Sequence, residues 1–169
     1  MGLICTAQAL LANIAGIYAV YHGPEGLKAI AERVHDTAKA LASRLANLGL
    51  ELANDRYFDT VSVFVGKDEA KQVLDLAAGL GRNLRIVHDE IINLALDEST
   101  TPEDLDKATE AIGRFTNPVE PNHNFPTHGL SEELKRESDY LAHPVFSRYH
   151  TEREMMRYLR RLVTRGCGL

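Results

Sequence analysis

Leu27, Ile30, Val34, Ala38, Leu41, Leu45 and Leu48 recur at steps of three and four through one stretch of this 169-residue chain. That period is the signature of one face of an α-helix, because residues three and four apart lie on the same side of a 3.6-residue turn. Lys28, Glu32, Arg33, Asp36, Lys39 and Arg44 fall on the opposite face, so the helix is half buried and half solvated. Pro24 suits its first turn, where a missing N–H costs nothing, and Gly49 suits its C-terminal stop. About 25 residues at 1.5 Å each make a rod of roughly 37 Å, along which any core must be built.

The flanking pattern supplies that core. Residues 6–21 predict an earlier helix, apolar on nearly every face and therefore buried on most sides, which Gly23-Pro24 stops. Val61, Val63 and Val65 alternate with Thr60, Ser62 and Phe64, a strand period. Residues 67–78 return to the helical period, with Ala70, Val73, Leu74 and Ala77 inward and Gly79 and Gly81 closing the helix. Residues 83–87 and 91–96 read as two short strands in a hairpin about His88-Asp89-Glu90. Thr101-Pro102-Glu103-Asp104 places a capping hydroxyl, a first-turn proline and two acids at a helix N-terminus, ahead of the stripe Leu105, Ala108, Ile112 and Phe115. The order α-α-β-α-β-β-α gives an α+β fold over residues 1–116, a small antiparallel sheet packed by helices. Prolines and polar residues without period make 117–147 a linker, with a short helix from Ser131 to Tyr140. A basic helix occupies 148–169 and opens at Thr151, where Glu154 completes a capping box. Six Arg and two Glu give that segment +4, leaving −9 on residues 1–147.

Composition excludes several classes of function. The net charge of −5 argues against nucleic acid as a partner. Residues 4–21 lack a basic flank and are interrupted by Gln8, Asn13 and Gly16, so neither a secretory signal nor a membrane span is expected. The opening Met1-Gly2 fits a loose myristoylation pattern, but a buried apolar helix explains the same letters. Cys5 and Cys167 stand at opposite ends and make no disulfide framework, which suits a reducing compartment.

Chemistry-bearing residues are sparse. No nucleophile elbow, phosphate loop or His-Glu-x-x-His pair is present, and no catalytic or metal-binding residue is assigned. His123 and His128 have no acidic or thiol companions at ligand spacing. His143 and His150 flank an aromatic segment, where structural hydrogen bonding is the expected role. Arg153, Arg157, Arg160 and Arg161 share a helix face that reads as solvated rather than as a phosphate site. Cys5 is the one candidate redox thiol: helix-start N–H groups favour a thiolate, against the alternative of a small residue packed inert.

Two stretches carry a specific resemblance. Ile4-Cys5-Thr6-Ala7-Gln8-Ala9-Leu10-Leu11-Ala12-Asn13, running into Tyr18-Ala19-Val20-Tyr21-His22-Gly23-Pro24-Glu25-Gly26-Leu27, resembles the end of the N-terminal half of the glycine cleavage system P-protein (decarboxylating glycine dehydrogenase) family. His143-Pro144-Val145-Phe146-Ser147-Arg148-Tyr149-His150-Thr151-Glu152 resembles the block opening that family's second half. Tyr57-Phe58-Asp59-Thr60, Asn83-Leu84-Arg85-Ile86-Val87 and Leu96-Asp97-Glu98-Ser99-Thr100-Thr101 keep the family's order between them.

The resemblance implies an internal fragment of a fold type I pyridoxal-phosphate oxidoreductase of glycine catabolism, this piece being a small subdomain plus a bridge. The full family enzyme decarboxylates glycine and passes the aminomethyl group to the lipoyl H-protein. The family's aldimine lysine lies beyond Leu169, and Lys28, Lys39, Lys67, Lys71, Lys107 and Lys135 do not match its position. No cofactor is therefore expected on this chain alone. Its expected partners are the remainder of the P-protein and, through uncovered apolar faces, further copies of itself. The expected compartment is the cytoplasm, or the mitochondrial matrix for a eukaryotic source. An independent non-catalytic binding module and, less favoured, a standalone enzyme are the competing readings.

Overall fold

The two N-terminal helices expected from the sequence form one bent element in the computed structural model, which describes residues 7–115 and 132–166. Helix α1 spans Ala7–Asn47 and leaves helical geometry at Gly23, with φ +66° and ψ −178°. A positive φ with ψ near 180° is essentially restricted to glycine and costs a residue bearing a Cβ about 1–3 kcal/mol. Pro24 follows and has no N–H to donate, so the hydrogen-bond ladder is cut here and restarts in a second limb. The chain divides into two units, Ala31–Arg136 and the pair Met1–Ile30 with Glu137–Leu169.

The first of these is the predicted α+β fold. Strand β1 is Thr60–Phe64, helix α2 Lys67–Gly79, strand β2 Arg85–Val87, strand β3 Ile91–Ala95 and helix α3 Pro102–Gly113. The sheet runs β1-β3-β2 and is antiparallel throughout. Its register sets Val61 against Leu94 and Val63 against Ile92, which aligns the apolar positions of both strands. Leu41, Leu45, Val61, Val63, Val73, Ile92 and Ile112 are fully buried where the helix stripes meet the sheet. Ser62 departs from simple alternation and is also buried. Residues 51–54 run along β1 and cover it, with the Ala53 N–H donating to Ser62 O at 2.8 Å and Asn54 Nδ2 to Ser62 Oγ at 3.4 Å.

Capping matches the sequence closely at α3. The Asp104 N–H donates to Thr101 Oγ1, and the Thr101 N–H donates back to Asp104 Oδ2 at 2.7 Å. Two otherwise orphaned N–H groups are thereby satisfied reciprocally.

The second unit holds the first limb of α1 and helix α4, Glu152–Gly166. The Thr151–Glu154 box opens α4, with Thr151 Oγ1 donating to Glu154 Oε2 at 2.9 Å and the Glu154 N–H donating to Thr151 Oγ1 at 3.3 Å. Two expectations need correction. Residues 8–16 are exposed, not buried on most sides: an apolar sequence specifies a need for cover, and the described residues of this unit do not supply it. Between Ser131 and Tyr140 a single 3₁₀ turn, Glu132–Leu134, replaces the short helix. Leu134 is exposed, so a helix there would gain no packed face, and isolated short helices are marginal in water. Ser131, the Pro-rich segment 117–130 and Cys167 lie outside the described residues.

Candidate functional site

A pyridoxal-phosphate site needs a lysine that can lose its proton and a cradle for phosphate. Lys39 pairs with Asp36 at 2.6 Å and Lys107 with Glu103 at 2.7 Å, both along helix faces. Lys67 lines a shallow, open pocket of about 320 Å³ together with Phe64, His88, Asp89, Glu90 and Ile91. Its ammonium lies 3.1 Å from Asp89, and that hydrogen-bonded carboxylate raises the Lys67 pKa above the usual lysine value. A Schiff-base lysine requires the opposite shift. Two acids in the lining are also unsuited to phosphate. These residues do not fit the cofactor, and no step is derived through it. Among the described residues no group of three or more His, Cys, Asp and Glu side chains could hold a metal ion. No described helix is long and apolar enough to cross a membrane.

A more constructed arrangement surrounds the bend in α1. Breaking a helix leaves backbone carbonyls without their usual partners. Here Tyr21 O, at the end of the first limb, faces His150 Nδ1 at 2.7 Å, and across the break Pro24 O, in the first turn of the second limb, also accepts from the Tyr140 hydroxyl at 2.5 Å. A carbonyl can only accept, so His150 Nδ1 carries the proton. Phe146 and His150 press on the bend itself. A Cβ placed on Gly23 would lie 2.6 Å from Phe146 O and 2.8 Å from His150 Cε1. Gly23 is thus required twice, by its φ and by its contacts. The rings of Tyr18 and Tyr21 pack on His22 with centroids at 4.3 and 5.1 Å. Tyr149 stacks on Tyr158 of α4 at 4.4 Å, tying this segment to the last helix.

On either side of this corner the unit presents uncovered apolar side chains. Leu10 and Leu11 are 62% and 65% exposed, and Ile14 follows one turn on. On α4, Met155 is buried, whereas Met156 and Val163 are 63% and 64% exposed and Leu162 is also open to solvent. Arg153, Arg157, Arg160 and Arg161 lie one helical turn from Met156 or Val163 or beside them, opposite Met155 and Leu162, and form no ion pair among the described residues.

The sequence-predicted residues distribute unevenly over this picture. His150 and His143 have the structural bonds expected of them, His143 Nδ1 accepting from the Val145 N–H at 3.2 Å at the start of the 3₁₀ turn Pro144–Ser147. Cys5, the candidate redox thiol, lies outside the described residues, as do His123 and His128. Sequence reasoning missed Tyr140 and the targets of His150, because contacts spanning 116 and 129 residues leave no local period. The run His22-Gly23-Pro24 was the one available signal, since a glycine before a proline announces a break whose carbonyls need partners.

Comparison with known proteins adds to these observations. A family model described as "Glycine cleavage system P-protein" matches residues 2–112. Similarity extends along 98% of the chain to the mitochondrial glycine dehydrogenase (decarboxylating) of Pisum sativum, at 47% identity over 174 residues. The glycine dehydrogenases (decarboxylating) of a Nostoc species and of Roseobacter denitrificans are 42% and 44% identical, again along 98% of the chain. The chain covers 16%, 18% and 17% of these three relatives, about a sixth of their length.

Proposed function

The chain belongs to the glycine cleavage system P-protein family, and from that premise we propose that it is a non-catalytic piece of a decarboxylating glycine dehydrogenase, serving structure and subunit contact. The whole enzyme would use pyridoxal phosphate to decarboxylate glycine and would transfer the aminomethyl group to the lipoyl H-protein. The cofactor-holding lysine and phosphate cradle belong, on this reading, to the part of the relatives that this chain does not span. The cytoplasm or the mitochondrial matrix is the corresponding compartment; the Pisum sativum relative is described as mitochondrial.

One observation carries the contact role: Leu10, Leu11, Met156 and Val163 are exposed in the same unit. Exposed apolar area is worth about 25 cal/mol per Å² when covered, which favours docking of the remaining protein, or self-association of the chain when that protein is missing. The test is replacement. The homologous segment of the Roseobacter denitrificans enzyme is exchanged for this chain, and glycine decarboxylation is assayed with H-protein. The expected result is an active chimaera that loses assembly and activity when Leu11 and Val163 are both changed to Lys. A folded but inactive chimaera, or one indifferent to both charges, overturns the reading.

A further inference from the structure

We propose that His150 and Tyr140 form a clasp that fixes the bend of α1 and so aims the exposed apolar limb of that helix. The proposal deepens the contact role above and rests on it for its purpose, but not for its geometry. The bend is not self-supporting. Gly23 gives the backbone its positive-φ turn and Pro24 removes a donor, and both make the break possible without choosing an angle. Sharp helix bends occur at such residues, and the carbonyls ending the first limb, Tyr21 O among them, lose their intrahelical donors. Two carbonyls flanking the break, Tyr21 O and Pro24 O, are held by side chains from one returning segment, at 2.7 and 2.5 Å. They lie on either side of Gly23, so fixing both fixes the two limbs against each other.

Contact geometry supports a clasp over incidental packing. Phe146 O and the His150 ring occupy the space a Cβ would take on Gly23, so the returning segment sits directly over the pivot. The same segment continues through Tyr149, which stacks on Tyr158, into α4. The limb bearing Leu10, Leu11 and Ile14 and the helix bearing Met156, Leu162 and Val163 therefore take their placement from one corner. Opening the clasp would leave each apolar face intact but no longer presented at a fixed angle.

The experiment places nitroxide labels at Ala12 and Lys28, both exposed, in the full chain with Cys5 and Cys167 changed to Ser. Pulsed dipolar spectroscopy then reads the distance distribution across the bend. The parent chain should give one narrow distribution. His150→Ala combined with Tyr140→Phe should widen it at least twofold. His150→Asn alone, whose amide nitrogen can donate from the position of Nδ1, should stay narrow. An unchanged distribution in the double variant overturns the clasp, as does an Asn variant as wide as His150→Ala alone. If the double variant fails to fold, Tyr140→Phe and His150→Asn, each losing or keeping one bond, still separate the outcomes. The labels read the bend without any partner protein, so an inactive chimaera with an intact clasp would refute the contact role alone.

Discussion

The two units of the chain solve the same problem to different extents. Ala31–Arg136 closes its own core: Leu41, Leu45, Val63, Ile92 and Ile112 are fully buried. The unit formed by Met1–Ile30 and Glu137–Leu169 has well-made local structure, with a capped helix and a pinned bend, yet leaves Leu10, Leu11, Met156 and Val163 in solvent. Helix starts are capped in both, at Thr101 and at Thr151, and tertiary burial is achieved in only one. Secondary structure is specified by nearest neighbours, whereas burial requires a second surface of matching area, and a segment can have the first without the second.

The sharpest way to break that contrast is to shorten an apolar side chain in each unit. Leu45→Ala should destabilise the Ala31–Arg136 unit by about 2–5 kcal/mol, the range for a fully buried leucine. Leu11→Ala should change the stability of the isolated chain by less than about 0.5 kcal/mol, as surface substitutions do. Urea unfolding followed by circular dichroism measures both. Comparable losses would mean that Leu11 is covered in solution.

An intermediate effect should come from the α3 cap. Thr101→Ala removes the hydroxyl that accepts from the Asp104 N–H and should cost about 1 kcal/mol. The same box governs the acid limb. Hydrogen bonds from the Thr101 N–H and hydroxyl hold the Asp104 carboxyl below its ordinary range, with Arg82 adding to the effect. Asp97 is lowered similarly by the Ser99 hydroxyl and N–H. Because these folded-state values are depressed, the unfolded chain binds protons first as pH falls, and the stabilisation present above the unfolded pKa drains away. Unfolding midpoints should be level between about pH 8 and 5 and fall below about pH 4. Asp104→Asn should flatten that fall; an unaltered acid limb would remove the cap from the account.

The smallest effect expected is at Tyr57. Its hydroxyl is buried and has no hydrogen-bond partner among the described residues, and burial raises its pKa above the ordinary tyrosine value. Tyr57→Phe removes an unsatisfied group while keeping the ring, so it should be neutral or stabilising by up to about 1 kcal/mol. A loss of 1 kcal/mol or more in thermal unfolding would show that the hydroxyl has a partner in solution.

Much of this fold could be read from the letters, for identifiable reasons. The stripe Leu27 to Leu48, the valines of β1 and the Thr101 and Thr151 boxes are local patterns, and each states its element directly. The hairpin about His88-Asp89-Glu90 was likewise visible, although His88 itself adopts a positive φ of 60° that its neighbours do not announce. The covering of β1 by residues 51–54 was not visible, since those residues have no strand period of their own. Nor was the clasp, because a histidine's sequence environment does not reveal which distant carbonyl it will meet. The apolar limb was misjudged for a third reason: hydropathy reports the demand for burial, and supply depends on chain that need not be adjacent.

The strip 51–54 along β1 has one further consequence. With Phe64 N donating to Glu51 O and Ala53 N to Ser62 O, that margin of the sheet already has its ladder partner. The other margin, β2, offers only three residues, Arg85–Val87. Unpaired strand margins are the templates on which β-rich chains polymerise, and short ones are poor templates. Even with apolar helices uncovered, this chain should therefore cluster by side-chain contact between helices and remain reversible, rather than extend a hydrogen-bonded ribbon from copy to copy.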